Sequence, residues 1–477
     1  MSIVGFNQRN FCNPNLQKSI KPLNQNILYS KTNQLSFNGD QYDKRKPKEI
    51  TDSIKIAEKT IVNNIINQLN DENTINPWLH SLFTVLPKAE LHAHLRGSRP
   101  RRILKEMLTA QGVSEHDAHL KASVNNRFEN LTEFVEAYEA ITQGCKDPEQ
   151  LKLATYMICK KAAEDNVKYL PLRIGLAGEK SSPEEILNAV KEGAKLCREE
   201  IKEAGLTQKV KIIVGAKRHG KLGEGVDKIV ERAMEDVKLA VELRAKDPDK
   251  TIVGFDICGD ESRYPIDLFK DVIAYAKEND LPVTVHAGET DHSGNLTGAE
   301  SVEHALDMGV NRLGHALHAT DDEKLMNRIR DLGITVEVPP TSNVAIKNAT
   351  WDNHPIRKML DKGIKVAICT DDPGLLQTKI SKELERLYKH GVVTDWKEIK
   401  EIILNGARGS FLPKEEKEEL VHEFEKDLSD IENTPQFKNV IDKYLTPTKN
   451  VLSFAGRKLG LISQKTEQKN NSKNILA

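Results

Sequence analysis

The residues able to do chemistry fall in four short polar clusters, each closing an apolar run: Glu90-Leu91-His92-Ala93-His94, Val285-His286-Ala287-Gly288-Glu289, Gly314-His315 and Thr370-Asp371-Asp372. In an extended segment, side chains i and i+2 share a face, so His92 and His94 can hold one ion together. Imidazole and carboxylate ligands that leave one position for water are the donor set of a catalytic zinc, which suits His92, His94 and His286 with Asp371. Such an ion lowers the pKa of its water from ~15.7 to about 7 and so supplies hydroxide at neutral pH. Each piece alone is a common structural feature, since a strand-end histidine often bonds its neighbours and an Asp-Asp pair often caps a helix. Their coincidence at the ends of separate apolar runs is what points to hydrolysis at a metal.

Elements must bring those clusters to one place. Eight candidate strands can be read: Val85–His92, Val167–Arg173, Lys209–Ala216, Ile252–Ile257, Pro282–His286, Arg312–His315, Thr335–Val338 and Lys365–Cys369. Several are continuous apolar runs, as parallel strands buried on both faces are. Helical patterns separate most of them, among them Pro183–Ala204, Lys228–Ala245 and Ile266–Asn279. Repeated strand-helix units predict an α/β fold with a parallel sheet, and eight of them predict a (β/α)8 TIM barrel with helical insertions. In a barrel the catalytic groups sit at the C-terminal strand ends, where these clusters lie. An open doubly wound sheet competes, but its Gly-x-Gly-x-x-Gly turn after the first strand is missing. Strand four runs into Asp256-Ile257-Cys258-Gly259-Asp260-Glu261, with no lysine to bridge two metals, so one zinc ion per chain is expected.

The chain has 477 residues, with 70 Lys+Arg against 71 Asp+Glu and a formal net charge of −1. That balance argues against attachment to nucleic acid or an anionic membrane through an overall field. No apolar run approaches the ~18 residues of a membrane span. The expected partner is a small-molecule substrate. The cysteines Cys12, Cys145, Cys159, Cys197, Cys258 and Cys369 form no Cys-x-x-Cys pair, and reduced buried thiols in a cytoplasmic protein are the expectation. Residues 1–48 are Asn-rich and polar, and residues 1–39 contain no acid, which a targeting leader shares without its arginine and serine content. Residues 49–82 should be helical, with an amphipathic helix over Ile54–Leu69. The barrel is expected over 83–432, and 433–477 should hold a helix end and a basic polar tail.

In order along the chain, Glu90-Leu91-His92-Ala93-His94-Leu95, Gly259-Asp260-Glu261, Val285-His286-Ala287-Gly288-Glu289, Arg312-Leu313-Gly314-His315 and Thr370-Asp371-Asp372-Pro373 resemble the motifs of the adenosine deaminase family. Ser410-Phe411-Leu412-Pro413 before an acidic helix is similar to that family's C-terminal helix, and the resemblance covers about residues 83 to 430. The cytidine-type zinc deaminases use a His-x-Glu with Pro-Cys-x-x-Cys, which is absent. The resemblance implies zinc held by His92, His94, His286 and Asp371. It implies that Glu289 protonates ring N1 while the nucleophile attacks C6, and that His315 orients the water and stabilises its charge. It also implies that Asp372 shares a proton with N7 and that the Gly259 N–H reaches N3. The implied reaction is deamination of adenosine or 2′-deoxyadenosine to inosine or 2′-deoxyinosine plus ammonia, in purine salvage.

One position departs. Two residues past His94 the family usually carries an aspartate that reads the ribose hydroxyl, and this chain has Arg96. A guanidinium suits phosphate or carboxylate instead. AMP, an N6-modified AMP, adenine or another 6-aminopurine is therefore the alternative substrate, unless Arg96 simply pairs with a nearby acid. A non-catalytic nucleoside-binding protein is the remaining reading, and it predicts missing ligands that are all present. Asp256 and Asp260 are expected to fix the barrel mouth. Arg173, Arg218 and His219 should act behind the ligands or in buried ion pairs. Leu131, Phe134, Val135 and Tyr138 lie at helical spacing, as a pocket lid or plain core.

Overall fold

The computed structural model describes residues 77–110, 112–122, 128–142, 147–176, 181–220 and 224–446. The expected Asn-rich segment, the helix over Ile54–Leu69 and the basic tail past residue 446 lie outside the described residues.

A single parallel sheet carries the fold. Its strands are β1, in two pieces (Lys88–Ala89 and Ala93–His94), β2 (Val167–Ile174), β3 (Lys209–Lys217), β4 (Ile252–Cys258), β5 (Val283–Ala287), β6 (Arg312–His315), β7 (Thr335–Val338) and β8 (Lys365–Ile368). They pair in sequence order from β1 to β8. The sheet curls until its ends meet: Ala93 bridges Asp371 in parallel, His94 N–H donates to the Asp371 carbonyl at 2.9 Å, and Asp371 N–H donates to the His92 carbonyl at 2.8 Å. This is the expected barrel. Strands β4 and β5 are buried at every position, their polar residues Asp256, Thr284 and His286 included.

The first strand differs from its expected span. Helix α1 (Pro77–Val85) takes up Val85, and Pro87 ends it, because proline cannot continue a helix. The strand then breaks in two. Glu90 turns its carboxylate back onto the His92 N–H at 3.0 Å, so a side chain rather than a neighbouring strand satisfies that donor.

Among the described residues, the first crossover holds four helices: α2 (Arg101–Ala110), α3 (Glu115–Lys121), α4 (Leu131–Thr142) and α5 (Pro148–Glu164). Asp147 caps α5 by accepting the Glu149 N–H, with Pro148 in the first turn. The later crossovers carry α6 (Pro183–Glu203), α7 (Val226–Lys246), α8 (Lys270–Glu278), α9 (Gly298–Asp307) and α10 (Glu323–Asp331). A short 3-10 turn, Ile266–Phe269, starts the fourth. Between β7 and β8 lie α11 (Pro340–Ala345) and α12 (Ile356–Asp361). Past β8 come α13 (Ile380–Lys389), α14 (Trp396–Arg408), α15 (Lys414–Asn433) and α16 (Pro435–Tyr444). Helix α16 lies inside the 433–477 segment in which a helix end is expected. It docks through Tyr388, whose hydroxyl donates to the Tyr444 carbonyl at 2.9 Å.

A second apolar core covers the catalytic end of the barrel. Leu104, Leu108, Leu131, Phe134 and Val135 of α2 and α4 pack on Ala345 and Ile346 after β7 and on Leu375 and Leu376 after β8. The stripe on α4 is therefore core, and that core is the cap over the strand ends. None of the described helices is long and apolar enough to cross a membrane. Among the described residues, Cys159, Cys197, Cys258 and Cys369 are buried.

Candidate active site

Residues from β1, β5, β6 and β8 converge at the mouth. His92 lies between the two halves of β1, His94 ends the second half, and His286 is the penultimate residue of β5. Asp371 follows β8 in the left-handed region, with φ +61°, as does His315 at the end of β6, also with φ +61°. Neither is glycine, so the fold holds both against a local preference. His92 Nε2 and His94 Nε2 each lie 3.4 Å from Asp371 Oδ1. His286 Nε2 is 3.0 Å from His92 Nε2 and 3.4 Å from His94 Nε2. A tetrahedral ion with bonds of 2.0–2.1 Å has ligand–ligand edges of about 3.3 Å. These four separations thus lie close to such edges, and His315 joins His92, His286 and Asp371 with ligand atoms within 4.8 Å of one another.

The charges ask for a cation there. His92 has a carboxylate on each nitrogen, Glu337 Oε2 at 3.0 Å from Nδ1 and Asp371 at Nε2. Burial and Arg173 oppose its protonation, yet those two carboxylates draw its pKa up. Burial instead pushes His94 down to about 3 and also lowers His286, which leaves lone pairs for a metal. Asp371 stays well below the usual carboxylate range despite burial, because His92 bonds it and His92, His94 and His315 surround it.

Behind the histidines runs a buried ionic circuit. Glu337 on β7 accepts from His92 and from Thr284 Oγ1 at 3.1 Å, and it pairs with both Arg173 and Arg312. Arg173 in turn donates to Asp256 at 2.7 Å, and Asp256 lies 3.3 Å from His286 Nδ1. Carboxylates on the far nitrogens fix imidazole orientation and leave Nε2 facing inward. Arg173 therefore stands behind two of the histidines and in a buried ion pair at once. Arg218 donates to the His286 carbonyl, and Asp260 accepts from Thr132 Oγ1 at 2.9 Å. Glu337 was not singled out from sequence; its one signal is an acid inside the buried run Thr335-Val336-Glu337-Val338.

Glu289 and His315 line the same space. Glu261 fixes the Glu289 backbone by accepting the Gly288 N–H at 2.8 Å and the Glu289 N–H at 2.9 Å. Burial, with Asp371 and Glu261 nearby, raises the Glu289 carboxyl well above its ordinary value, which favours its protonated form. Asn343 Nδ2 is 2.8 Å from His315 Nδ1. In this amide orientation, which leaves Asn343 Oδ1 buried without a hydrogen-bond partner, Nδ1 accepts and the ring proton sits on Nε2. That Nε2 is buried and meets no hydrogen-bond partner, leaving a donor aimed into the site. No local sequence pattern marks Asn343.

Asp372 Oδ1 is likewise buried without a hydrogen-bond partner. Burial and the neighbouring Asp371 raise its carboxyl well above its ordinary value. Position 97 must be glycine, since a Cβ there would stand 1.7 Å from that oxygen. Gly259 has φ +100°, and a Cβ would meet the His219 ring at 2.4 Å. Arg96 does find an acid: its Nη1 lies 3.2 Å from both oxygens of Glu139 on α4. Lys217 Nζ donates to Glu139 Oε1 at 2.7 Å, and His219 Nε2 is 3.5 Å from the same oxygen. Burial opposes the Glu139 charge, but His219, Lys217 and Arg96 together hold its carboxyl well below the usual range.

The adenosine deaminase family model matches residues 87–427. An adenosine deaminase of Lactococcus lactis is 28% identical over 358 residues, covering 72% of this chain and 95% of the relative. One from Clostridium botulinum is 31% identical over 350 residues, covering 71% and 98%. Among solved structures, the N6-mAMP deaminase of Arabidopsis superposes with a TM-score of 0.62 at 25% identity, covering 72% of this chain and 99% of that one. The chain belongs to the adenosine deaminase family, a family of metal-dependent hydrolytic deaminases.

Proposed function

We propose that the protein is a zinc-dependent hydrolase that releases ammonia from C6 of a 6-aminopurine. The observation that carries the metal is the convergence of His92, His94, His286 and Asp371, four of whose six ligand–ligand separations, 3.0 to 3.4 Å, lie close to the edges of a tetrahedral site. A zinc ion bound there supplies a hydroxide-like nucleophile at neutral pH. The chain's own groups do the rest. Glu289, kept protonated, donates to ring N1 as oxygen adds to C6. His315 Nε2–H donates to the oxygen that attacks and steadies its charge. Asp372 holds N7 through its raised, protonated carboxyl, and the Gly259 N–H takes N3. The C–N bond then breaks, ammonia leaves, and a 6-oxopurine remains.

Adenosine and 2′-deoxyadenosine are the first substrates to test, as the curated relatives are adenosine deaminases. A second reading, AMP or N6-modified AMP, is favoured by the arginine at position 96 and by the N6-mAMP deaminase among the structural neighbours. The test is ammonia release from adenosine and from AMP, side by side, before and after removal of metal with a chelator. Turnover that chelation abolishes and zinc restores supports the reading. A chelated, metal-free enzyme that keeps its full rate would sink it.

A further inference from the structure

Where the family's acid would meet a ribose hydroxyl, this chain gathers cations. Arg96 and Lys217 both reach Glu139 Oε1, at 3.2 and 2.7 Å, and the His219 ring stands 3.5 Å from the same atom. Two permanent positive charges therefore meet on one Glu139 oxygen. The side chains are only partly covered, 18% exposed for Arg96, 25% for Glu139 and 30% for Lys217, so the cluster faces solvent-accessible space rather than core. Because both nitrogens contact one oxygen, they stand within about 6 Å of each other. A tetrahedral anion spans that gap with one oxygen on each cation.

The cluster also borders the base site. Arg96 is two residues past His94, and Lys217 is paired in register with Cys258, the neighbour of Gly259. The Arg96 guanidinium lies 5.7 Å from the Tyr138 ring centre, and the next residue, Gly97, packs against the Asp372 carboxyl. A purine held between Gly259 and Asp372 would thus carry its sugar toward these cations. Glu139 keeps Arg96 and Lys217 together in the absence of ligand, when their mutual repulsion would otherwise splay them apart.

We propose that Arg96 and Lys217, held on Glu139, form a phosphate-recognising subsite, so that the substrate is a 6-aminopurine nucleoside 5′-monophosphate. This rests on the deaminase reading above and adds the group at the ribose 5′ position. A planar guanidinium and a mobile ammonium together offer a dianion both directed and adaptable donors. A hydrogen bond to a charged group contributes enough that losing either cation should be visible as a tenfold or larger change.

The experiment compares kcat/KM for AMP and for adenosine in the zinc-loaded wild type, Arg96→Ala and Lys217→Ala, together with calorimetric binding of ribose 5-phosphate and of ribose. The wild type should prefer AMP. Each variant should lower the AMP-to-adenosine ratio at least tenfold, mainly through KM for AMP, and ribose 5-phosphate should bind the wild type but not Arg96→Ala. A ratio that does not move in either variant, or a wild type that prefers adenosine and ignores ribose 5-phosphate, overturns the proposal. Melting temperatures identify a variant that has failed to fold, and Lys217→Ala then decides. If neither substrate reacts while ribose 5-phosphate still binds through Arg96, the subsite stands and the deaminase reading fails.

Discussion

Replacing Glu337 with glutamine separates a metal-orienting role from a structural one. The carboxylate is fully buried and faces His92 Nδ1, Thr284, Arg173 and Arg312. Glutamine keeps the volume and an oxygen for His92, so what is removed is the charge. Arg173 retains Asp256 as a counterion, but Arg312 is left with the Gly409 carbonyl at 2.7 Å and the face of Phe411 at 3.6 Å. Removing one partner of a buried pair costs roughly 3–5 kcal/mol. With an unfolding entropy of ~2.1 cal/mol/K per residue over a barrel the size of residues 87–427, that lowers Tm by about 4–7 °C. Loss of a carboxylate behind a metal-binding histidine should also weaken zinc by roughly 10–100-fold. A competition titration against a chelating dye reads the affinity, and calorimetry with saturating zinc and after chelation reads Tm. If Tm falls as stated while zinc affinity stays within twofold, Glu337 supports the barrel and does not orient His92. If neither changes, the buried circuit described above is wrong.

Three further outcomes follow from the site and its supports. Glu289→Gln cannot give a proton, so kcat should fall by about 10²–10⁴ with zinc content unchanged; a loss under tenfold would remove Glu289 as the acid. Asn343→Asp places an acceptor at His315 Nδ1, draws the ring proton to that side and turns a lone pair toward the nucleophile. The cost of a lost oxyanion donor, roughly 10²–10³ in kcat with little change in KM, is expected, and an unchanged kcat would show that the tautomer is set elsewhere. Lys88 is buried, donates to the carbonyls of Thr84, Leu86 and Asp165, and is lowered from 10.5 to about 8, chiefly by burial. Between those two pKa values the unfolded chain binds the extra proton, so folding stability should rise with pH from 8 toward 10.5, by at most about 3 kcal/mol. Urea unfolding at pH 8 and 10 should show that rise in the wild type and not in Lys88→Met; parallel behaviour of the two would refute it.

What could be read from sequence was what is local along the chain. His92 with His94, the Val-His-Ala-Gly-Glu run and the Asp-Asp pair each announce themselves within five residues, and buried parallel strands announce themselves as apolar runs. The barrel followed from counting those runs. Partnerships across the barrel left little trace. Glu139 sits in an amphipathic helix 43 residues from Arg96, and nothing at either position names the other. Asn343 gains its meaning only because helix α11, after β7, packs beside the end of β6. The start of the first strand was misplaced for a related reason: Val85 and Leu86 are as apolar as strand residues, and the Leu86 N–H closes onto the Leu82 carbonyl at 3.2 Å instead. The break at His92 depends on where the Glu90 side chain turns, which no periodicity encodes.

The seam of the barrel has a consequence for how this protein is made. First and last strands meet through backbone bonds of His92, His94 and Asp371, the same residues proposed to bind zinc. The ion would then rivet the two ends of the sheet. On a ribosome, a nascent chain carrying His92, His94 and His286 offers an incomplete set of donors for as long as residue 371 is still inside the exit tunnel. With zinc at that seam, metal capture and ring closure would become one late event, and a truncated or mispaired chain would be expected to hold the ion poorly.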